Sequence, residues 1–108
     1  MAKTLKDGRT ITNEYGDIWD DAILVADYNN LDFLDKYFRF RIDIYKDSTA
    51  RTAGYKPYNS TWYKIDKTEF QSNFVQTNAI ATVKSQTESY ALTLTDSSSN
   101  LIYGNDFE

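Results

Sequence analysis

Histidine and cysteine, which carry most acid–base, nucleophilic and metal chemistry near neutral pH, do not occur in this 108-residue sequence. Serines are plentiful, but none has a histidine to activate it. Neither a Gly-x-Ser-x-Gly elbow nor a Ser-x-x-Lys spacing is present. A glycosidase-type carboxylate pair could be drawn from the 16 acids, yet no spacing selects one pair above another. The stretch Asp27-Tyr28-Asn29-Asn30-Leu31-Asp32 offers oxygen donors of the kind Ca²⁺ takes. It lacks the central glycine and closing glutamate of an EF-hand, and Asp and Asn in such places ordinarily close turns and cap helices. The expectation is no enzymatic activity and no cofactor, with Ca²⁺ near Asp27 and Asp32 left open.

Charge narrows the partners. A formal net charge of -4 argues against a nucleic-acid footprint, which needs a clustered basic face. Arg39 and Arg41 stand close to Asp43, which suits cross-strand ion pairs or an acidic partner. The basic N-terminus has no apolar stretch behind it, so no signal peptide is expected. The longest apolar run, Ala22 to Ala26, is far below the ~20 residues of a membrane span. These features imply no membrane partner and a cytoplasmic location, unless the chain is carried in a particle. The sequon Asn59-Ser60-Thr61 reads as a turn.

Positioning falls to β elements. From Tyr37 to Tyr45, Phe38, Phe40, Ile42 and Ile44 alternate with Arg39, Arg41 and Asp43. That period of two places the apolar set on one face of a half-buried antiparallel strand. Asp7-Gly8, between Thr4-Leu5-Lys6 and Arg9-Thr10-Ile11-Thr12, is a hairpin signal, and a second turn follows at Tyr15-Gly16-Asp17. Residues 17–28 fit either a helix capped by Asp17 or a buried strand over Ala22 to Ala26, with the β-branched content favouring the strand. Leu31 to Lys36 reads as one helical turn or a compact loop. Lys46 to Ser60 has almost no apolar periodicity and holds the single proline, so it reads as one long loop.

Further strands are expected at Thr61 to Asp66 and at Phe70 to Val75, the latter alternatively a short helical turn. A hairpin is expected from Ala79–Lys84 and Tyr90–Thr95, with its turn over Ser85 to Glu88. After a turn at Asp96 to Asn100, a last strand covers Leu101 to Tyr103. The fold class is therefore mainly β: residues 1–108 as one small antiparallel β-sandwich or barrel-like domain, with at most one or two short helical turns.

Nine Tyr, six Phe and two Trp make 16% of the chain aromatic. Phe38, Phe40 and Trp62 are assigned to the core. Tyr55, Tyr58 and Tyr103 fall in or near irregular segments, where such rings commonly make contacts with other proteins. Together with Arg51 on the long loop and Phe107 in the acidic tail, they form the expected interface: Arg51, Tyr55, Tyr58, Tyr103 and Phe107. The loop 46–60 and both termini are the expected adhesive parts.

Two stretches rich in Tyr, Asn and Thr carry a resemblance. Gly54-Tyr-Lys-Pro-Tyr-Asn-Ser-Thr-Trp-Tyr63 and Ala91-Leu-Thr-Leu-Thr-Asp-Ser-Ser-Ser-Asn-Leu-Ile-Tyr103 resemble the small virion proteins of tailed bacteriophages, such as decoration, head–tail connector and tail subunits. The likeness is one of general character and contains no diagnostic motif. It implies a structural subunit of a capsid or tail, located in the virion and held by other protein subunits, a homo-oligomer among the options. The alternatives are a carbohydrate-binding β-module, which would need Trp19 or Trp62 exposed as a platform, and a small phage-encoded inhibitor of a host protein. An inhibitor of a nucleic-acid enzyme would gather acids on one face, whereas here they are spread along the chain.

Overall fold

A computed structural model describes residues 2–28, 37–57, 59–74 and 80–108. In chain order it contains β1 (Lys3–Thr4), β2 (Ile11–Thr12), β3 (Ile18–Trp19), β4 (Ile23–Tyr28) and β5 (Tyr37–Tyr45). The helix α1 (Ser48–Thr52), strand β6 (Asn59–Asp66), and helices α2 (Lys67–Asn73) and α3 (Ile80–Ala91) complete it. The architecture is mainly β: a four-stranded antiparallel sheet in the order β1-β4-β5-β6, and a two-stranded sheet of β2 and β3. Among the described residues the helices number three, and the longest has twelve residues, more than the one or two turns expected. Among the described residues no helix is long and apolar enough to cross a membrane.

β5 forms as its alternation requires. Phe38, Phe40, Ile42 and Ile44 are all buried, and they meet Phe70, Phe74, Val83, Ala91, Tyr103 and Phe107 in one core. The layer over this face of the large sheet is thus made by α2, α3 and the C-terminal segment. Phe38 sits among rings, with centroids 4.8 Å from Phe70, 5.5 Å from Phe74 and 5.8 Å from Phe40. Residues 23–28 are a strand, as the β-branched content suggested; Leu24 and Ala26 join the same core from β4.

Four local expectations are corrected. The arms around Asp7-Gly8 do not pair with each other. The turn itself forms, with Gly8 at φ 77° and Arg9 N–H donating to the Lys6 carbonyl at 3.0 Å. Its first arm instead runs between β4 and the C-terminus: Lys3 and Thr4 pair with Leu24 and Ile23, while Leu5 bridges Phe107. Its second arm pairs with β3 across the Tyr15-Gly16 turn. A hairpin with arms of three and four residues buries little, whereas these pairings cover Leu5 and Phe107.

The expected hairpin over residues 79–95 is a helix from Ile80 onward. Val83, Thr87 and Ala91 recur every four residues and are all buried, so a helical stripe satisfies the core where strand alternation would divide it. Phe70 belongs to α2, whose N-cap Asp66 accepts from Glu69 N–H at 2.7 Å. Asp47 caps α1 in the same way, accepting from Ala50 N–H at 2.7 Å, so the stretch 46–60 is broken by a helix and passes into β6 at Asn59.

The last expected strand reduces to a bridge between Thr95 and Leu101, although the Asp96 to Asn100 turn is present with Ser99 at φ 64°. The expected elements at 31–36 and 79, and Val75, lie outside the described residues.

Gly104 lies where the C-terminal segment crosses the end of α3. A Cβ there would stand 2.3 Å from the Leu92 carbonyl oxygen, a backbone atom with little room to yield. Gly104→Ala is therefore expected to cost about 1–3 kcal/mol by overpacking, read from urea denaturation.

Glu88 on α3 performs an edge repair. β1 covers β4 only at Ile23 and Leu24, so the Ala26 N–H lies beyond it; the Glu88 carboxylate accepts that N–H at 3.0 Å. Burial pushes the Glu88 carboxyl above its ordinary range, against the opposing pull of the Ala26 N–H and the Arg51 charge. A carboxyl raised on folding binds its proton more tightly in the native state. Its stabilising contribution is present below the ordinary pKa and fades as pH rises through the folded value. Glu88→Gln keeps an acceptor for Ala26 and removes the titration. Its stability relative to the parent chain should therefore rise with pH from about 4.5 upward, as melting temperatures across pH will register.

Candidate interaction surface

The opposite face of the large sheet carries the polar half of β5, and strand register sets what stands beside each residue. Across β4, β5 and β6 the rows are Val25–Asp43–Ser60 and Asp27–Arg41–Trp62, continued by Arg39–Lys64 and Tyr37–Asp66. Paired residues share a face in an antiparallel sheet, so Trp62 is carried to the same side as the arginines. It is 54% exposed, which corrects its assignment to the core. The signal was available: along β6, Trp62 has the parity of Ser60, Lys64 and Asp66, while Tyr63 and Ile65 pack toward the core.

Arg41 organises this face. Its Nε lies 3.0 and 3.1 Å from the two oxygens of Asp43, its Nη2 lies 3.7 Å from Asp27, and its guanidinium stands 5.6 Å from the Trp62 ring centre. The hydrogen bond to Asp43 is the main reason its pKa is raised; burial opposes, and the charges of Asp43 and Asp27 add to the rise. Asp43 is only 2% exposed although it belongs to the polar set of β5, and Ser60 Oγ donates to its Oδ1. The carboxylate is an internal counter-ion for Arg41, and the sequon's Ser60 is tied into β6. A second cation–ring pair sits one row on, with Lys64 Nζ 4.7 Å from the Tyr37 ring. Asp27 also faces Lys84 of α3 at 3.8 Å, so the one described end of the Ca²⁺ alternative is held by two cations; Asp32 lies outside the described residues.

The five residues expected at an interface do not come together. Arg51 is exposed on α1, and Tyr55, just beyond it, is 68% exposed. Tyr58 lies outside the described residues. Tyr103 and Phe107 are 4% and 1% exposed and belong to the core, so their expected surface role is corrected. Phe107 is drawn in because the C-terminal segment runs beside β1: Thr4 and Glu108 exchange backbone hydrogen bonds at 2.9 and 3.3 Å, and Lys6 N–H donates to Asp106. Tyr103 pairs its hydroxyl with that of Tyr63 at 2.6 Å, and burial raises its pKa.

Two clefts accompany these features. One of about 310 Å³ lies between α2 and α3, lined by Asn73, Ser85, Gln86, Ser89, Tyr90 and Thr93, all uncharged and polar. The Tyr90 hydroxyl donates to Glu69 at 3.0 Å; burial and that bond raise its pKa to about 12. The other, of about 200 Å³, lies between the β2–β3 hairpin and the segment after α1, and includes Tyr15, Trp19 and Pro57. Among the described residues no three carboxylates converge as a metal site would require. Comparison with protein-family models, with curated proteins and with solved structures finds no match to this chain.

Proposed function

We propose that this chain is a non-enzymatic structural subunit of a protein assembly, working through protein–protein contacts. The setting we favour is a bacteriophage virion, as a capsid decoration, head–tail connector or tail component of the kind its sequence resembles. The observation that carries the reading is the exposed part of this sheet face, where half-exposed Trp62 lies against Arg41, one row from Lys64 and two from Tyr37. Tryptophan, tyrosine and arginine are the residues that dominate protein contacts, because they bury large area at small entropic cost. Tyr15, Ile18 and Tyr55 add exposed apolar surface elsewhere.

Co-sedimentation of the chain with particles from its native source tests this reading, with Trp62→Ala as the paired variant. We expect the parent chain in the particle fraction and the variant in the supernatant, both with the same melting temperature. A parent chain that never joins a particle or complex contradicts it.

A second reading draws on the same residue. An exposed tryptophan beside Asp27 and Arg41 is also what a carbohydrate-binding module would present, with a ring for the sugar face and polar groups for its hydroxyls. A saturable change in tryptophan emission on adding glycans, lost in Trp62→Ala, would favour it over assembly.

A further inference from the structure

We infer that β6 is the pairing edge for a second copy of this chain, the two joined antiparallel about a two-fold axis through Tyr63. The inference rests on the assembly reading above and names the partner. Among the described residues the four-stranded sheet ends at β6, with β5 on its other side. The register from Tyr37↔Asp66 to Ile44↔Asn59 runs without a bulge, and β6 contains neither proline nor glycine. Exposed edges are usually blunted by shortness, bulges, proline or charge. β6 is eight residues long and carries two charges, Lys64 and Asp66, of opposite sign.

Symmetry restricts how two such edges can meet. Partners across an antiparallel pair must share a face, so the axis passes through a residue rather than between two. An axis at Tyr63 keeps Ser60 to Asp66 of both copies within the strand. It sets Trp62 opposite Lys64 of the second copy, and Ser60 opposite Asp66 of the second copy, each contact occurring twice. The charges meet a ring and a hydroxyl, and neither meets its like.

Moving the axis one residue earlier stacks Trp62 on itself and carries Asp66 past the start of β6. Moving it one residue later opposes Lys64 to itself. The pairing would join two four-stranded sheets into one of eight, a recognised mode of strand addition.

The absence of native cysteine makes the register directly readable. Opposed positions on paired strands lie ~4.5–5.5 Å apart, within disulfide reach. Trp62→Cys and Lys64→Cys chains are mixed under mild oxidation after circular dichroism confirms that each is folded. The expected result is mixed disulfide in clear excess over either homodimer, since the mixed pair also keeps one native Trp62–Lys64 contact. A statistical mixture, Trp62 homodimers in excess, or no disulfide overturns the proposal.

Sedimentation velocity of charge variants gives a second reading that needs no cysteine. Trp62→Lys, which opposes lysine to Lys64, should lose the dimer, whereas Trp62→Glu should keep it. Equal masses for the two variants count against the pairing. If the register test fails while the parent chain still joins particles, the β6 dimer is wrong and the assembly reading stands. If neither association occurs, both fall.

Discussion

Replacing Phe38 by alanine should cost about 3–5 kcal/mol of folding stability, enough to leave a domain of this size barely folded. Phe38 is fully buried and touches rings from three directions, with Phe40 beside it on β5, Phe70 and Phe74 from α2 and its C-cap, and Tyr28 from β4. Those rings come from both layers, so the cavity cannot close by moving one side chain. Guanidinium denaturation should show a lower midpoint with an unchanged slope, the signature of lost stability without a change in compactness. Phe38→Leu, which restores most of the volume, should recover the greater part of the loss. A near-neutral Phe38→Ala would mean that α2 does not pack on this face.

The second large effect is electrostatic and lies on the other face of the same strand. Arg41→Ala removes the cation from Asp43 and leaves a buried carboxylate with Ser60 as its remaining hydrogen-bond donor in the pair's immediate circle. Breaking a fully buried pair from one side costs about 3–5 kcal/mol. The Arg41 side chain is about one third exposed, which places the expected loss nearer 2 kcal/mol. Asp43→Asn in the Arg41→Ala background removes the stranded charge and should return part of the stability, making the pair less than additive.

The legible parts of the fold were those where side-chain period and environment agree. β5 declared both its faces, because apolar and charged residues strictly alternate there, and every apolar member is buried. The turns at Gly8, Gly16 and Asp96 to Asn100 were legible because left-handed backbone or side-chain capping demands those residue types. α3 was not legible. Its Ile, Val and Thr residues read as strand, its amphipathic stripe is formed by small side chains such as Ala91 and Thr87, and its helical identity depends on packing against β4. The pairing of the N- and C-terminal segments was equally hidden, since nothing local to Leu5 or Phe107 signals a contact that distant.

The same division explains the candidate surface. Residue type alone assigns Trp62 to the core, while its parity along β6 places it with Lys64 and Asp66. An irregular segment at Tyr103 and an acidic tail at Phe107 suggest surface, yet a bridge and a hydroxyl pair draw them inward. Arg51 and Tyr55 remain exposed as expected, on a capped helix and the segment after it rather than on a featureless loop.

The central claim is that the apolar face of the large sheet packs the core, while the exposed part of its polar face, around Trp62, Lys64 and Tyr37, makes the contacts. Hydroxyl-radical footprinting of the free protomer and of its assembled form, read by mass spectrometry at single residues, tests it most directly. Trp62 and Tyr37 should be oxidised readily in the free protomer and protected on assembly, while Phe38 and Phe40 stay protected in both. Trp62 labelled equally in the two states, with protection appearing at Tyr15 or Tyr55 instead, would contradict the claim.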